Sequence, residues 1–325
     1  MVEIELKFQI SEARRTALLK ALDPKKSETI QLQAKYFDTP DRLLAQHGAA
    51  LRQRLEGTSW IQTLKAAGKS HLHRFEHNHN LGELESSPEL DLSIYQAIPE
   101  AQQILTQALG SDAAALKLTF ETDIQRTYRV IQFEDAEIEV CLDVGVVRAS
   151  GREQTIHEVE FELKSGSVQS LLAFSFEWVK KYQLWLDVRS KAEMGNLLAL
   201  EQTVSPARFE KEFVLSKKES AAHNLSLLIG QQMQHLLPNI AAISAGVAEQ
   251  SHIDQAQTAL EHLQLTLALF KDWNSNISDK WAMQLAAFKH QFDHLQHLQH
   301  MQSTLGAFLQ NLTTTENLAK DILYA

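Results

Sequence analysis

Apolar and polar positions alternate strictly over the first eight residues. Val2, Ile4, Leu6 and Phe8 fall on one face, and Glu3, Glu5 and Lys7 on the other. A period of two predicts a β-strand with one packing side and one charged side. The pattern returns at 157–164, where Glu158, Glu160, Glu162 and Lys164 share a face. Between these two, alternating runs predict strands at 30–38, 50–55, 59–66, 72–78, 118–131 and 136–147. Helical spacing predicts a helix after Ser11 with Leu18, Leu19 and Leu22 inward, one over 99–109, and one over 168–182 carrying Leu171, Phe174, Trp178 and Tyr182. Eight strands with few helices between them predict an antiparallel sheet able to close on itself.

Near 201–206 the character changes. Apart from a short strand-like segment at 209–215, the rest reads as amphipathic helices at 221–237, 253–273 and 279–312, with a short last helix to Tyr324. In the second of these, Leu260, Leu263, Leu267 and Phe270 form one apolar stripe. The expected class is therefore α+β: an eight-stranded antiparallel barrel with flanking helices over 1–200, then an all-α domain over 201–325.

A length of 325 residues suffices for two cores, and a net charge of −10 excludes a general nucleic-acid or anionic-membrane binder. A small polyanion in a locally basic cleft remains compatible with that charge. The single cysteine, Cys141, cannot form an intramolecular disulfide, no apolar run approaches bilayer length, and no basic-then-apolar leader precedes the first strand. The expected location is the cytoplasm.

Charge changes the picture most when the strand faces are collected. Acids Glu3, Glu5, Glu76, Glu139, Asp143, Glu158, Glu160 and Glu162 fall on the same face as Lys7, Arg52, Arg54, Lys65, Arg74, Arg126 and Lys164, with Lys191 beyond the last helix. Charges alternate on any solvated sheet face, but here strand after strand repeats them while the opposite face is apolar. Two carboxylates ~4 Å apart repel by roughly 4 kcal/mol at an effective dielectric near 20, so rows of acid facing a common interior need cations between them. Hard carboxylate oxygens suit Mg²⁺ or Mn²⁺, and guanidinium and ammonium groups suit phosphate oxygens. Together they are equipment for phosphoryl transfer to water.

These residues also resemble a known family. Glu3-x-Glu5-x-Lys7, Tyr36-Phe37-Asp38-Thr39, Leu51-Arg52-x-Arg54, Thr63-Leu64-Lys65, Arg74-x-Glu76, Leu142-Asp143-x-Gly145, Glu158-x-Glu160-x-Glu162-x-Lys164 and Ser190-Lys191-Ala192-x-x-Gly195 match, in order, the motifs of the CYTH, or triphosphate tunnel metalloenzyme, superfamily. The resemblance implies a barrel open as a tunnel with Mg²⁺ or Mn²⁺ on its acidic sector. Glu3, Glu5, Glu160 and Glu162 would carry metal, with Asp143 or Glu158 holding a second ion or the attacking water. Lys7, Arg52, Arg54, Lys65, Arg74, Arg126, Lys164 and Lys191 would hold the triphosphate, with Glu76 among them; Glu5, Lys7, Arg54 and Asp143 would act in catalysis. Many relatives carry a further acid where this chain has Asn78.

The C-terminal part resembles a shortened CHAD domain whose basic positions have become Asp254, Gln257, Glu261, His262, Gln264 and Ala268. It is expected to pack, or to make intramolecular or protein contacts, rather than to bind polyphosphate. The expected activity is hydrolysis of inorganic triphosphate. The alternatives are a thiamine or nucleoside triphosphatase, a class IV adenylate cyclase, or a polyphosphate-binding module without turnover. Three lesser signals read blandly: His290, His294, His297 and His300 as a solvated helix stripe, Gly68-Lys69-Ser70 as a hairpin turn, and Cys141 as a small filler.

Overall fold

The computed structural model describes residues 2–70, 73–110, 112–271, 279–290 and 292, with backbone only at 2, 3, 68–70, 73, 74 and 114. The first unit comprises Met1–Leu184 and Arg189–Thr203. It contains β1 (Val2–Gln9), α1 (Glu12–Ala21), β2 (Glu28–Asp38), α2 (Leu43–Gln46), β3 (Ala49–Glu56), β4 (Ser59–Ser70), β5 (His73–Glu83), α3 (Pro99–Leu109), β6 (Lys117–Phe133), β7 (Ala136–Ala149), β8 (Arg152–Ser165), α4 (Val168–Tyr182) and α5 (Lys191–Ala199). The eight strands follow the order β5-β4-β3-β2-β6-β7-β8-β1, every characterised pair antiparallel. β1 closes the order: Glu5–Gln9 pairs with β8 while Val2, Ile4 and the residue between them pair with β5.

The two sides of this sheet differ as the alternation requires. Phe8 and Phe161 on the outer side meet Phe174, Trp178 and Tyr182 of α4 in a chain of ring contacts 5.0–5.5 Å between centroids. On the opposite flank Leu51, Leu64, Ala66 and Phe75 pack under Tyr95 and α3. The helices therefore bury the apolar face, at about 25 cal/mol per Å² removed from water, and the charged face is left to the barrel interior. One part of that interior is apolar: Leu32, Ala34, Tyr36, Phe120, Ile124, Val147 and Ile156 cluster with Met194 of α5.

Two glycines mark close approaches. A Cβ on Gly145 would lie 2.1 Å from the Asp123 carbonyl oxygen of the neighbouring strand, and one on Gly195 would lie 2.2–2.5 Å from Phe120 ring atoms. The second lets α5 press flat against the barrel.

The second unit comprises Trp185–Val188 and the chain from Val204 onward. After a two-residue strand at Trp185–Leu186 come helices α6 (Ala221–Ser244) and α7 (Gln250–Leu269), and residues 279–290 are also helical. Leu236, Ile240, Ile243, Ile253, Ala256, Leu260, Leu263 and Phe292 form its core. No helix among the described residues is long and apolar enough to cross a membrane.

Four expectations need correction. The 209–215 segment is not a strand: Phe209, Val214 and Leu215 stand exposed in irregular backbone with no partner strand. α6 does not stop at Leu237 but continues through Pro238. An interior proline costs about 3 kcal/mol, and burying Asn239–Ser244 against α7 offsets it. Lys191 does not follow the last helix of the unit but begins a further one, α5, capped by Ser190. Gly68–Ser70 continues β4, whose ladder with β5 runs on to Ser70 opposite His73. The remaining strands run one to five residues beyond their expected ends. His294, His297, His300, the far part of the 279–312 helix and the last helix lie outside the described residues.

The close approach at Gly195 gives a test. In a helix Gly→Ala normally gains about 1 kcal/mol. Here the added methyl must displace a buried ring that stacks on Tyr36 at 4.3 Å. Overpacking of that kind costs about 1–3 kcal/mol, so Gly195→Ala is expected to lower stability in denaturant unfolding. Phe120→Leu in the same chain should recover part of the loss; a Gly195→Ala protein more stable than the parent would refute the contact.

Candidate functional site

Register places the charged residues in rows across the closed sheet. One row runs Gln9–Glu158–Asp143–Arg126, the next Lys7–Glu160–Cys141–Tyr128, and a third Glu5–Glu162–Glu139. On the facing wall Tyr36, Arg52, Thr63 and Asn78 are in line, with Arg54 one step along β3 and Lys65 opposite Glu76. Exposure grades along β8, from 0% at Glu158 through 15% at Glu160 and 26% at Glu162 to 36% at Lys164, so the interior opens to water at the Lys164 end.

The buried end holds the densest network. Arg126 donates from Nε to Asp143 Oδ1 at 2.7 Å and from Nη2 to Asp143 Oδ2 at 2.6 Å, and its Nη2 also reaches Glu160. Lys191 Nζ lies 2.8 Å from both Asp143 Oδ2 and Glu160 Oε1 and touches Glu158. Lys7 Nζ is 3.5 Å from Glu158. Burial by itself would raise the Asp143 and Glu160 carboxyls, but Arg126 and Lys191 hold both below the usual carboxylate range. At Glu158 burial wins over Lys191 and Lys7, and its carboxyl is pushed up. The same contacts raise Lys191 and Arg126 despite their burial. Burial also pushes the Cys141 thiol up, so it stays protonated, and its Sγ donates to Glu139 at 3.3 Å.

The basic wall is built differently. Lys65 is 2.7 Å from Glu76, Arg52 is 3.9 Å from the same carboxylate, and Arg54 pairs with Glu56. Nonetheless the Nε atoms of Arg52 and Arg54 and the Nζ of Lys7 are buried without a hydrogen-bond partner. Burial, and then the Arg52 charge beside it, bring Arg54 down to about 10. The Tyr36 phenol is lowered against its own burial by Arg52, which it meets at 3.5 Å. Two guanidinium groups crowded on one wall, with buried donors unfulfilled, form a site that favours an anion. The field of Lys65 reaches Glu160 and that of Arg126 is felt by Arg52, so both walls face one interior.

Most of the expected residues therefore meet. Lys7, Arg126, Asp143, Glu158, Glu160 and Lys191 form the deep network, Arg52, Arg54, Lys65 and Glu76 the basic wall. Glu5 and Glu162 occupy the outer row, where Lys164 bridges Glu162 at 2.9 Å and Glu139 at 3.3 Å. Glu3 and Arg74 stand opposite one another in the β1–β5 pair, and their side chains lie outside the description. Asn78 donates to Glu76 at 2.9 Å and accepts from Thr63 at 2.7 Å. Glu56 and the role of Tyr36 were not foreseen. Glu56 continues the Arg52, Arg54 alternation, a signal present in the sequence, whereas only the β2–β3 register brings Tyr36 to Arg52. The carboxylates of Asp143, Glu158 and Glu160 offer oxygen atoms within 4.8 Å of one another, a hard-donor set that fits Mg²⁺ or Mn²⁺.

The profile of the CYTH domain family matches residues 1–195. The chain belongs to the CYTH family. This CYTH chain is 33% identical over 227 residues to the inorganic triphosphatase of Haemophilus influenzae, an alignment covering 68% of the chain and 62% of that relative, so it spans less than two thirds of the relative's length. Among solved structures it is similar to a Bacillus halodurans protein assigned as an adenylate cyclase, with 22% identity, coverage of 56% of this chain and 89% of that one, and a TM-score of 0.40. It is also similar to a Hippeastrum protein assigned as an adenylyl cyclase and described as having a dominant triphosphatase activity, with 17% identity, coverage of 62% and 97%, and a TM-score of 0.43.

The deep network has a pH signature. A carboxyl whose folded pKa is depressed adds stability above its unfolded value, near 4, and loses it as pH falls through the folded value. Removing Arg126 leaves buried carboxylates short of a partner, at about 3–5 kcal/mol. Arg126→Met is therefore expected to lower the midpoint of thermal unfolding at neutral pH, and the gap to the parent should close as pH falls below about 4. A gap that is constant with pH would show that the arginine contributes by packing alone.

Proposed function

We propose that this CYTH protein hydrolyses inorganic triphosphate to pyrophosphate and phosphate, in the cytoplasm, with Mg²⁺ or Mn²⁺. The observation that carries the proposal is the basic wall: buried guanidinium groups with unfulfilled donors facing a row of carboxylates across one enclosed interior. The name of the Haemophilus influenzae relative supports the same substrate.

In this reading Lys7, Arg52, Arg54, Lys65, Arg74, Arg126, Lys164 and Lys191 bind phosphate oxygens, and Glu76 holds Arg52 and Lys65 in position. Glu3, Glu5, Asp143, Glu158, Glu160 and Glu162 supply the oxygen donors for the divalent ion. When bound, such an ion neutralises phosphate charge and acidifies water. Water adds to the terminal phosphorus, the bridging P–O bond breaks, and pyrophosphate leaves with the electron pair. Lys7 and Arg54 stabilise the charge that develops on the leaving oxygens, and the enclosing strands limit competing water.

We assign residues 1–200 to this tunnel domain and 201–325 to a CHAD-like helical domain that has lost polyphosphate binding. Supporting the latter, polar side chains between α6 and α7 are engaged in packing the helices together, Gln232 donating to Thr266 at 2.8 Å and His235 meeting Gln255 at 3.0 Å.

Phosphate release from tripolyphosphate, ATP and thiamine triphosphate with Mg²⁺ should be fastest for tripolyphosphate and abolished by chelation. Cyclic AMP from ATP would overturn the assignment, and binding without release would mark a non-catalytic module. Glu5→Gln and Arg54→Ala should each cut turnover by about a hundredfold or more without unfolding the protein; near-parental turnover in either would remove that residue from the mechanism.

A further inference from the structure

The Asp143, Glu158 and Glu160 carboxylates are a hard-donor trio, yet a cation already stands among them. The Lys191 ammonium is 2.8 Å from Asp143, 2.8 Å from Glu160 and in contact with Glu158. Arg126 and Lys7 supply two more positive charges at the same three carboxylates. Three acids are thus matched by three bases with no metal counted. Lys7 adds a second observation: its side chain is 7% exposed, and its buried ammonium, 3.5 Å from Glu158, makes no hydrogen bond to the cluster.

We propose that Lys191 is the resident counter-ion of the trio and competes with a divalent ion for it. The ammonium and a metal ion cannot share the same oxygens, because their charges repel and the donor atoms are the same. The trio accepts metal when Lys191 swings away, and a phosphate oxygen in the interior is the group that would draw it off; that last clause rests on the proposed triphosphatase reading. The helix is closely packed where it carries this lysine. Ser190 Oγ accepts from the Glu193 backbone at 3.0 Å, and Gly195 abuts the Phe120 ring. The shortest route for exchange is through the torsions of the Lys191 side chain. Lys191 becomes a positioning residue for the metal as well as a phosphate ligand.

The test is Mn²⁺ binding to the full chain with no phosphate present, read by electron paramagnetic resonance of free Mn²⁺ and by calorimetry. Lys191→Met is expected to bind Mn²⁺ at least about tenfold more tightly, or to gain an ion per chain. Lys191→Arg, which keeps the charge, should behave as the parent does. Asp143→Asn added to Lys191→Met should erase the gain. Equal affinity and stoichiometry in the parent and Lys191→Met would overturn the proposal. A Lys191→Met chain that folds only when Mn²⁺ is supplied would support it, and one that stays unfolded with Mn²⁺ would count against it. Because no substrate is present, the titration stands or falls independently of which triphosphate, if any, is hydrolysed.

Discussion

Inside the barrel the deciding interaction is the pairing of buried carboxylates with buried cations. Desolvating each ion costs several kcal/mol, and a well-made buried pair returns about what it costs, so such a network is a poor source of stability. Stability of the first unit comes from elsewhere: the aromatic chain from Phe8 to Tyr182 and the cluster under α3 bury the outer face. A fold that spends apolar burial on the outside to hold Asp143 and Glu158 fully buried inside is built around the chemistry of that interior.

The network is tied to the apolar end of the barrel through α5. Ser190 caps the helix, Lys191 at its first position enters the acids, and Met194 and Gly195 press on Phe120. Phe120 in turn stacks on Tyr36, whose hydroxyl meets Arg52. One short helix thereby connects the acidic cluster to the basic wall by direct contacts, and its glycine is what permits the approach.

The helical unit is held by other means. Its apolar core is of ordinary kind, and hydrogen bonds to backbone tie its described buried polar groups: Asn239 bonds the backbone of Arg208, and His252 meets the Ser205 carbonyl at 2.9 Å. Neutral hydrogen bonds of this sort contribute about 1 kcal/mol each and set the helix register. Among the described residues this unit lacks the crowded buried charges that distinguish the first.

Periodicity made the strands legible, because a half-buried strand needs an apolar residue at every second position wherever it sits in the fold. The same alternation identified the charged face, but not the apolar part of the interior around Phe120 and Tyr36. Sequence alone could not read α5, whose nine residues are too few to show a clear apolar stripe, although Ser190 and Glu193 have capping spacing. Nor could it read α6 beyond Pro238, where burial against α7 outweighs a local preference to stop. Pattern along the chain determined which residues turn inward. Which acid meets which base, Lys191 among three carboxylates and Lys65 beside Glu76, was decided only by register and closure, since those contacts join positions that only the closed sheet or the adjoining helix brings together.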